Sequence, residues 1–144
     1  MTLAGLLGAA RETLAGVRVV EFTTTWAGPM AGCILADFGA DVVKVEHPAG
    51  EVARRSPPLL PGTKPPLSFM QATLNRNKRS LTLDLHASRG REIFLELCGR
   101  ADIVIENFRP GALDGWGVGY KELRARKHDT ILVSISGFGQ YGRD

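Results

Sequence analysis

The side chains best suited to chemistry in this chain are cations gathered in short turns. Arg76, Lys78 and Arg79 lie almost side by side, and Arg54 and Arg55 sit in a Pro- and Gly-rich stretch upstream. Guanidinium and ammonium groups in such turns attract phosphate or carboxylate, and arginine can grip either with two parallel hydrogen bonds. Lys78 and Arg79 are therefore candidates to reach a ligand phosphate. The same spacing equally suits a solvated turn whose cations pair with acidic neighbours. Asn107 and Phe108 close an apolar run, where amide and ring suit either a ligand contact or a cap and a core filler. Cys33 and Cys98 have no C-x-x-C or Cys/His spacing, so they read as buried thiols rather than metal ligands. No Ser/His/Asp, Cys/His or metal-binding constellation is visible, and no catalytic residue is assigned within the chain.

The elements that must position these groups alternate in type. Val17 to Phe22 and Asp41 to Glu46 are apolar β-branched runs of the kind that form strands buried on both faces. Between them Met30, Ile34 and Phe38 recur every four residues, with Ala27, Ala31 and Leu35 beside them, a helical stripe ended by Gly39. The threonines before the stripe could cap that helix. A long loop is expected over His47 to Pro66, a short helix over Leu67 to Leu74, and a strand over Ser80 to Leu85. Ser88 could cap a helix with Ile93, Phe94, Leu97 and Cys98 inward. Ala101 to Glu106 reads as a fourth strand. Two short helices (Pro110 to Trp116, Tyr120 to Arg126) and a fifth strand (Thr130 to Ser136) complete the pattern. Such alternation implies a Rossmann-like α/β domain over 17–144, a mostly parallel sheet with helices on both faces, incomplete at its C-terminus. Residues 1–16 read as a leader segment rather than a signal or a membrane span, because Arg11 and Glu12 interrupt the apolar run.

Ligands of such sheets sit beyond the C-terminal ends of the strands, near the switch point in strand order. The first β–α turn reads A-G-P and lacks G-x-G-x-x-G, and no P-loop lysine is present, which argues against NAD and ATP. Coenzyme A, with its 3′-phosphate, diphosphate and long uncharged arm, fits scattered basic and apolar contacts better. The balance of 18 basic to 15 acidic residues, a net charge of +3, is too weak to argue for nucleic acid. Two isolated cysteines and no targeting segment fit a cytoplasmic protein.

Four motifs in one order sharpen this picture: W-A-G-P at Trp26 to Pro29, N-R-N-K-R-S at Asn75 to Ser80, E-N-F-R-P-G at Glu106 to Gly111, and S-I-S-G-F-G-Q at Ser134 to Gln140. From about Leu14 onward the chain resembles the N-terminal part of the family III CoA-transferases, which also include α-methylacyl-CoA racemases. The resemblance implies backbone contacts to CoA from Thr25, Trp26 and Ala27, and further contacts from Leu83, Asn107 and Phe108. It also implies three departures. His47 stands where the family often has Arg, His86 where it has Lys, and Gly115 where it has Arg. Each removes a fixed positive charge, so His47 and His86 are candidate contacts of altered chemistry. What the resemblance implies for activity is transfer of CoA from an acyl-CoA to a carboxylate acceptor. CoA is then a substrate and no prosthetic group is expected. The aspartyl nucleophile lies beyond Asp144, and the family forms interlocked homodimers. A racemase portion and a non-catalytic CoA-binding remnant are the alternatives. Neither nucleic acid nor membrane is an expected partner.

Overall fold

Short β-branched runs alternating with helical stretches can bury both strand faces only if the helices cover both sides of a parallel sheet, and that arrangement is observed. The structure, a computed structural model, describes residues 13–142. Strands β1 (Arg18–Phe22), β2 (Asp41–Glu46), β5 (Arg79–Thr82), β6 (Ile103–Glu106) and β7 (Ile131–Ser134) form one sheet in the order β5-β2-β1-β6-β7. Every pairing in it is parallel. Two-residue strands β3 (Leu59–Leu60) and β4 (Leu67–Ser68) form a separate antiparallel pair, so the expected loop carries a short strand and a 3₁₀ turn at Val52–Arg55, and the first two residues of the helix expected over Leu67 to Leu74 are strand instead.

The period of two along each strand divides the core. Val19, Val42 and Ile105 pack under α1 (Ala27–Asp37), with Ala36 and Ala40. Val20, Val45 and Val104 face the other way, toward Phe94 and Cys98 of α3 (Ser88–Cys98), Leu113 of α4 (Ala112–Gly115) and Leu123 of α5 (Tyr120–Arg126). Helix α2 (Phe69–Leu74) begins at Ser68, whose hydroxyl accepts the Gln71 N–H. Leu14 joins the first cluster and donates its N–H to the Phe38 carbonyl, while residues 1–12 of the expected leader lie outside the described residues.

Helix α1 ends as its sequence suggests. Gly39 takes φ +98° and donates to the Ala36 carbonyl, and Ala40 donates to that of Leu35, the two bonds of a Schellman motif. Its packing differs from what the stripe alone suggests. Ile34 and Phe38 are about half exposed, and the face against the sheet is Gly28, Pro29, Gly32, Cys33 and Ala36. Small residues are required there. A Cβ at Gly28 would lie 2.4 Å from the Thr23 Cβ, and one at Gly32 would lie 2.0 Å from Glu21 Oε2. Caps also depart from expectation. Trp26 is the N-cap of α1 and no threonine side chain caps it; Ala87 is the N-cap of α3, with Ser88 already inside the helix.

Candidate functional site

Strand order reverses between β1 and β6, and the turns leaving these two strands meet there. Asn107, just past β6, clasps the turn after β1 with both ends of its amide. Its Oδ1 accepts the Thr24 N–H at 2.8 Å, and its Nδ2 donates to the Thr24 carbonyl at 2.8 Å. The last residue of each neighbouring strand does similar work. Glu106 Oε2 accepts the Phe108 N–H, and Glu46 Oε1 accepts the Glu51 N–H, both at 2.8 Å. Burial alone would raise the Glu46 carboxyl, but the Arg54 guanidinium and the Glu51 N–H hold it below its ordinary value. Arg54 is thus occupied as an internal clamp on the loop after β2. These loops are held by side-chain acceptors on rigid strand ends, which fixes their backbone before any ligand arrives.

Between the loops lies a cleft of about 240 Å³ bordered by Phe22, Thr23, Thr24, Glu46, His47, Gly50, Glu51, Leu83, His86, Phe108 and Trp116 among others. One wall is a run of rings. Phe22 and Phe108 have centroids 4.6 Å apart, Phe108 and Trp116 5.1 Å, Trp116 and His86 6.0 Å, and His86 and His47 6.3 Å. The run passes from buried Phe22 to exposed His47, so apolar surface grades into polar surface along the wall. His47 Nδ1 accepts the Ala49 N–H at 3.1 Å, and its Nε2 lies 3.8 Å from Asp84. Phe108 also borders a second, wider groove of about 950 Å³ that contains Ala27, Asn107 and the Ser136 to Gly142 segment.

Of the residues expected at the site, His47, Leu83, His86 and Phe108 meet at the cleft. Asn107 and Ala27 border the groove, and Thr25 and Trp26 form the exposed turn between β1 and α1. Lys78 and Arg79 do not join them. Arg79 opens β5 at the opposite sheet edge, in a two-pronged pair with Asp41 at 2.9 and 2.6 Å. The Lys78 side chain is 1% exposed beneath α1, its ammonium 2.6 Å from Glu21 Oε2 and donating to the Pro29 carbonyl and Asn75 Oδ1. Burial pulls this ammonium below its ordinary value, against the opposing effect of Glu21. Arg76 likewise pairs with Asp37. Lys78 is therefore an internal brace, whereas Arg76 and Arg79 form surface pairs, the acidic partners of all three lying on the adjacent helix and strands.

Sequence reasoning missed what that brace surrounds. Glu21 is fully buried at the register position of Lys44 on the neighbouring strand. Lys44 Nζ is 3.0 Å from Glu21 Oε1, donates to the Thr23 carbonyl at 3.0 Å, and is 3.5 Å from Glu51 Oε1. The Thr23 hydroxyl donates to Glu21 at 2.6 Å. The available signal was a lone Glu in V-R-V-V-E-F and a lone Lys in D-V-V-K-V-E, opposite charges inside two runs otherwise built for burial. The thiols are as expected: Cys33 and Cys98 are buried, and burial pushes Cys98 up to about 12.

A five-stranded parallel sheet in this order, with a cleft at the switch point, defines a Rossmann-type α/β domain. The chain belongs to the CoA-transferase family III, whose family model matches residues 14–144. It is 43% identical over 131 residues to a probable fatty acyl-CoA transferase of Mycobacterium tuberculosis, covering 91% of this chain and 33% of that protein. It is 45% identical over 124 residues to a succinyl-CoA:mesaconate CoA-transferase of Haloarcula hispanica, covering 85% of this chain and 31% of that protein. A solved CaiB/BaiF family protein from Brucella suis superposes with a TM-score of 0.85 at 42% identity, over 90% of this chain and 35% of that one. The chain spans about a third of the length of the relatives it matches. Among the described residues, no helix is long and apolar enough to cross a membrane.

Proposed function

We propose that this chain is the CoA-binding N-terminal portion of a CoA-transferase that moves CoA from an acyl-CoA to a carboxylic acid. The observation that carries the reading is the ring-lined cleft at the switch point, with Phe108 shared between it and the wider groove. A cleft of about 240 Å³ is too small for the whole cofactor, so CoA spans both openings. Its nucleotide end lies toward His47, His86 and Leu83. Its uncharged arm crosses Phe108 and Asn107 and runs along the Thr25–Ala27 backbone. The aspartyl nucleophile that would attack the thioester belongs to sequence outside these 144 residues. Nucleophile, oxyanion donors and acceptor site would then complete a homodimeric cytoplasmic enzyme.

Calorimetric titration with CoA tests the binding claim. Binding is expected at about 1 mM or tighter, equivalent to at least about 4 kcal/mol. Phe108→Ala should weaken it about fivefold to thirtyfold, the equivalent of losing roughly 1–2 kcal/mol of apolar contact. Absence of heat at millimolar CoA from a demonstrably folded sample would sink the reading.

A further inference from the structure

Thr25 is β-branched yet sits at φ +69°, in the left-handed region that such residues rarely adopt. The turn that contains it is fastened peptide by peptide. Lys44 holds the Thr23 carbonyl and Asn107 holds both backbone groups of Thr24. The Thr25 N–H donates at 3.0 Å to Glu51 Oε2, which comes from the loop on the other side of the cleft. Glu51 is itself held in place. Its own N–H donates to Glu46, its side chain is 5% exposed, and its second oxygen lies 3.5 Å from the buried Lys44 ammonium. That second oxygen makes no hydrogen bond among the described residues, and Glu51 borders the cleft.

We propose that Glu51 is a positioning residue. By accepting the Thr25 N–H it holds Thr25 left-handed, so that the Thr25–Ala27 backbone faces a CoA-type ligand, and it ties together the two loops that flank the cleft. The proposal rests on the reading that CoA occupies this cleft. Without the tie, Thr25 relaxes toward ordinary backbone angles and only a fraction of molecules present a competent turn. The left-handed cost of a non-glycine residue sets that fraction at about one in five to one in thirty, and the apparent affinity falls by the same factor.

The test is a cycle of Glu51→Ala, Thr25→Gly and their combination, read by CoA calorimetry and by hydrogen exchange at residue 25 without ligand. Glu51→Ala is expected to weaken CoA binding about fivefold to thirtyfold. In the Thr25→Gly background the loss caused by Glu51→Ala should be smaller than it is beside threonine, because glycine adopts positive φ at no steric cost. An unchanged affinity in Glu51→Ala, or the same loss whichever residue occupies position 25, overturns the proposal. Hydrogen exchange decides it even if a variant fails to fold. A wild-type Thr25 amide that exchanges as fast as a free peptide overturns the tie, whereas a protected one supports it. Wild-type protein that binds no CoA but keeps that protection would refute the functional reading and the ligand role of Glu51 while leaving the tie demonstrated.

Discussion

Gly32→Ala adds a single methyl group at the most crowded point between α1 and the sheet. The new Cβ would lie 2.0 Å from Glu21 Oε2 and 2.8 Å from its Cδ, against a floor of about 3.0 Å for real Cβ contacts. Roughly 1 Å of displacement is required, and neither side gives easily. Glu21 is held by Lys44, Lys78 and the Thr23 hydroxyl, so moving its carboxylate uncouples a fully buried charge from two ammonium groups. Partial loss of such a buried pair costs up to about 3–5 kcal/mol. If the helix moves instead, overpacking costs about 1–3 kcal/mol. Alanine's helix preference returns about 1 kcal/mol. The cheaper route, a shift of the helix, sets the net expectation at a loss of about 1 kcal/mol, within a range of roughly 0–2 kcal/mol. Urea denaturation should show it as a lower midpoint at unchanged slope. Gly115→Ala is the control, since a Cβ there meets open space in a helical residue, and it should be neutral or slightly stabilising. A Gly32→Ala midpoint equal to that of Gly115→Ala would refute the claim that close approach over Glu21 makes glycine necessary.

Restoring fixed cations should tighten CoA binding. His47→Arg with His86→Lys is expected to gain about threefold to tenfold at low salt, with the gain shrinking as salt rises, because both positions are exposed. Calorimetry at two ionic strengths checks this, and unchanged affinity in both would count against a phosphate contact there. Stability should fall in acid. The Arg54 hydrogen bond leaves the Glu46 carboxyl low despite burial, and hydrogen bonds from Arg18 and then Lys127 hold Asp102 well below the usual carboxylate range. A depressed folded-state value gives stabilisation that is complete above about pH 4.5 and lost as pH falls through the lower value. Urea midpoints measured from about pH 5 to 3 should therefore drop, and more shallowly in Arg54→Met; an identical acid slope in that variant would remove Glu46 from the account. Lys44→Ala leaves Glu21 with one of its two cations and should lower stability by about 3–5 kcal/mol, whereas a change below about 1 kcal/mol would show that water or Lys78 alone satisfies Glu21.

Local sequence determined the elements and their order. Apolar β-branched runs, a four-residue apolar stripe and the Gly39 cap marked β1, β2 and α1 because such signals act within a few residues. Strands alternating with helices then left a parallel sheet with two covered faces as the way to bury both sides. Leu83, Asn107, Phe108 and the two histidines were named by the family resemblance, and they stand near one sheet edge because each follows the end of β2, β5 or β6. Tertiary structure alone decided which side chains were free to meet a ligand. Lys78 and Arg79 share one basic turn with Arg76, yet all three are paired with acids that fold onto them from α1, β1 and β2. The buried face of α1 was likewise settled by Glu21 beneath it, which admits glycine and excludes the larger residues of the apolar stripe. Glu51 is the furthest example. Nothing within its own loop marks it, because its partner Thr25 lies on the turn after β1 and reaches it only once β1 and β2 have paired.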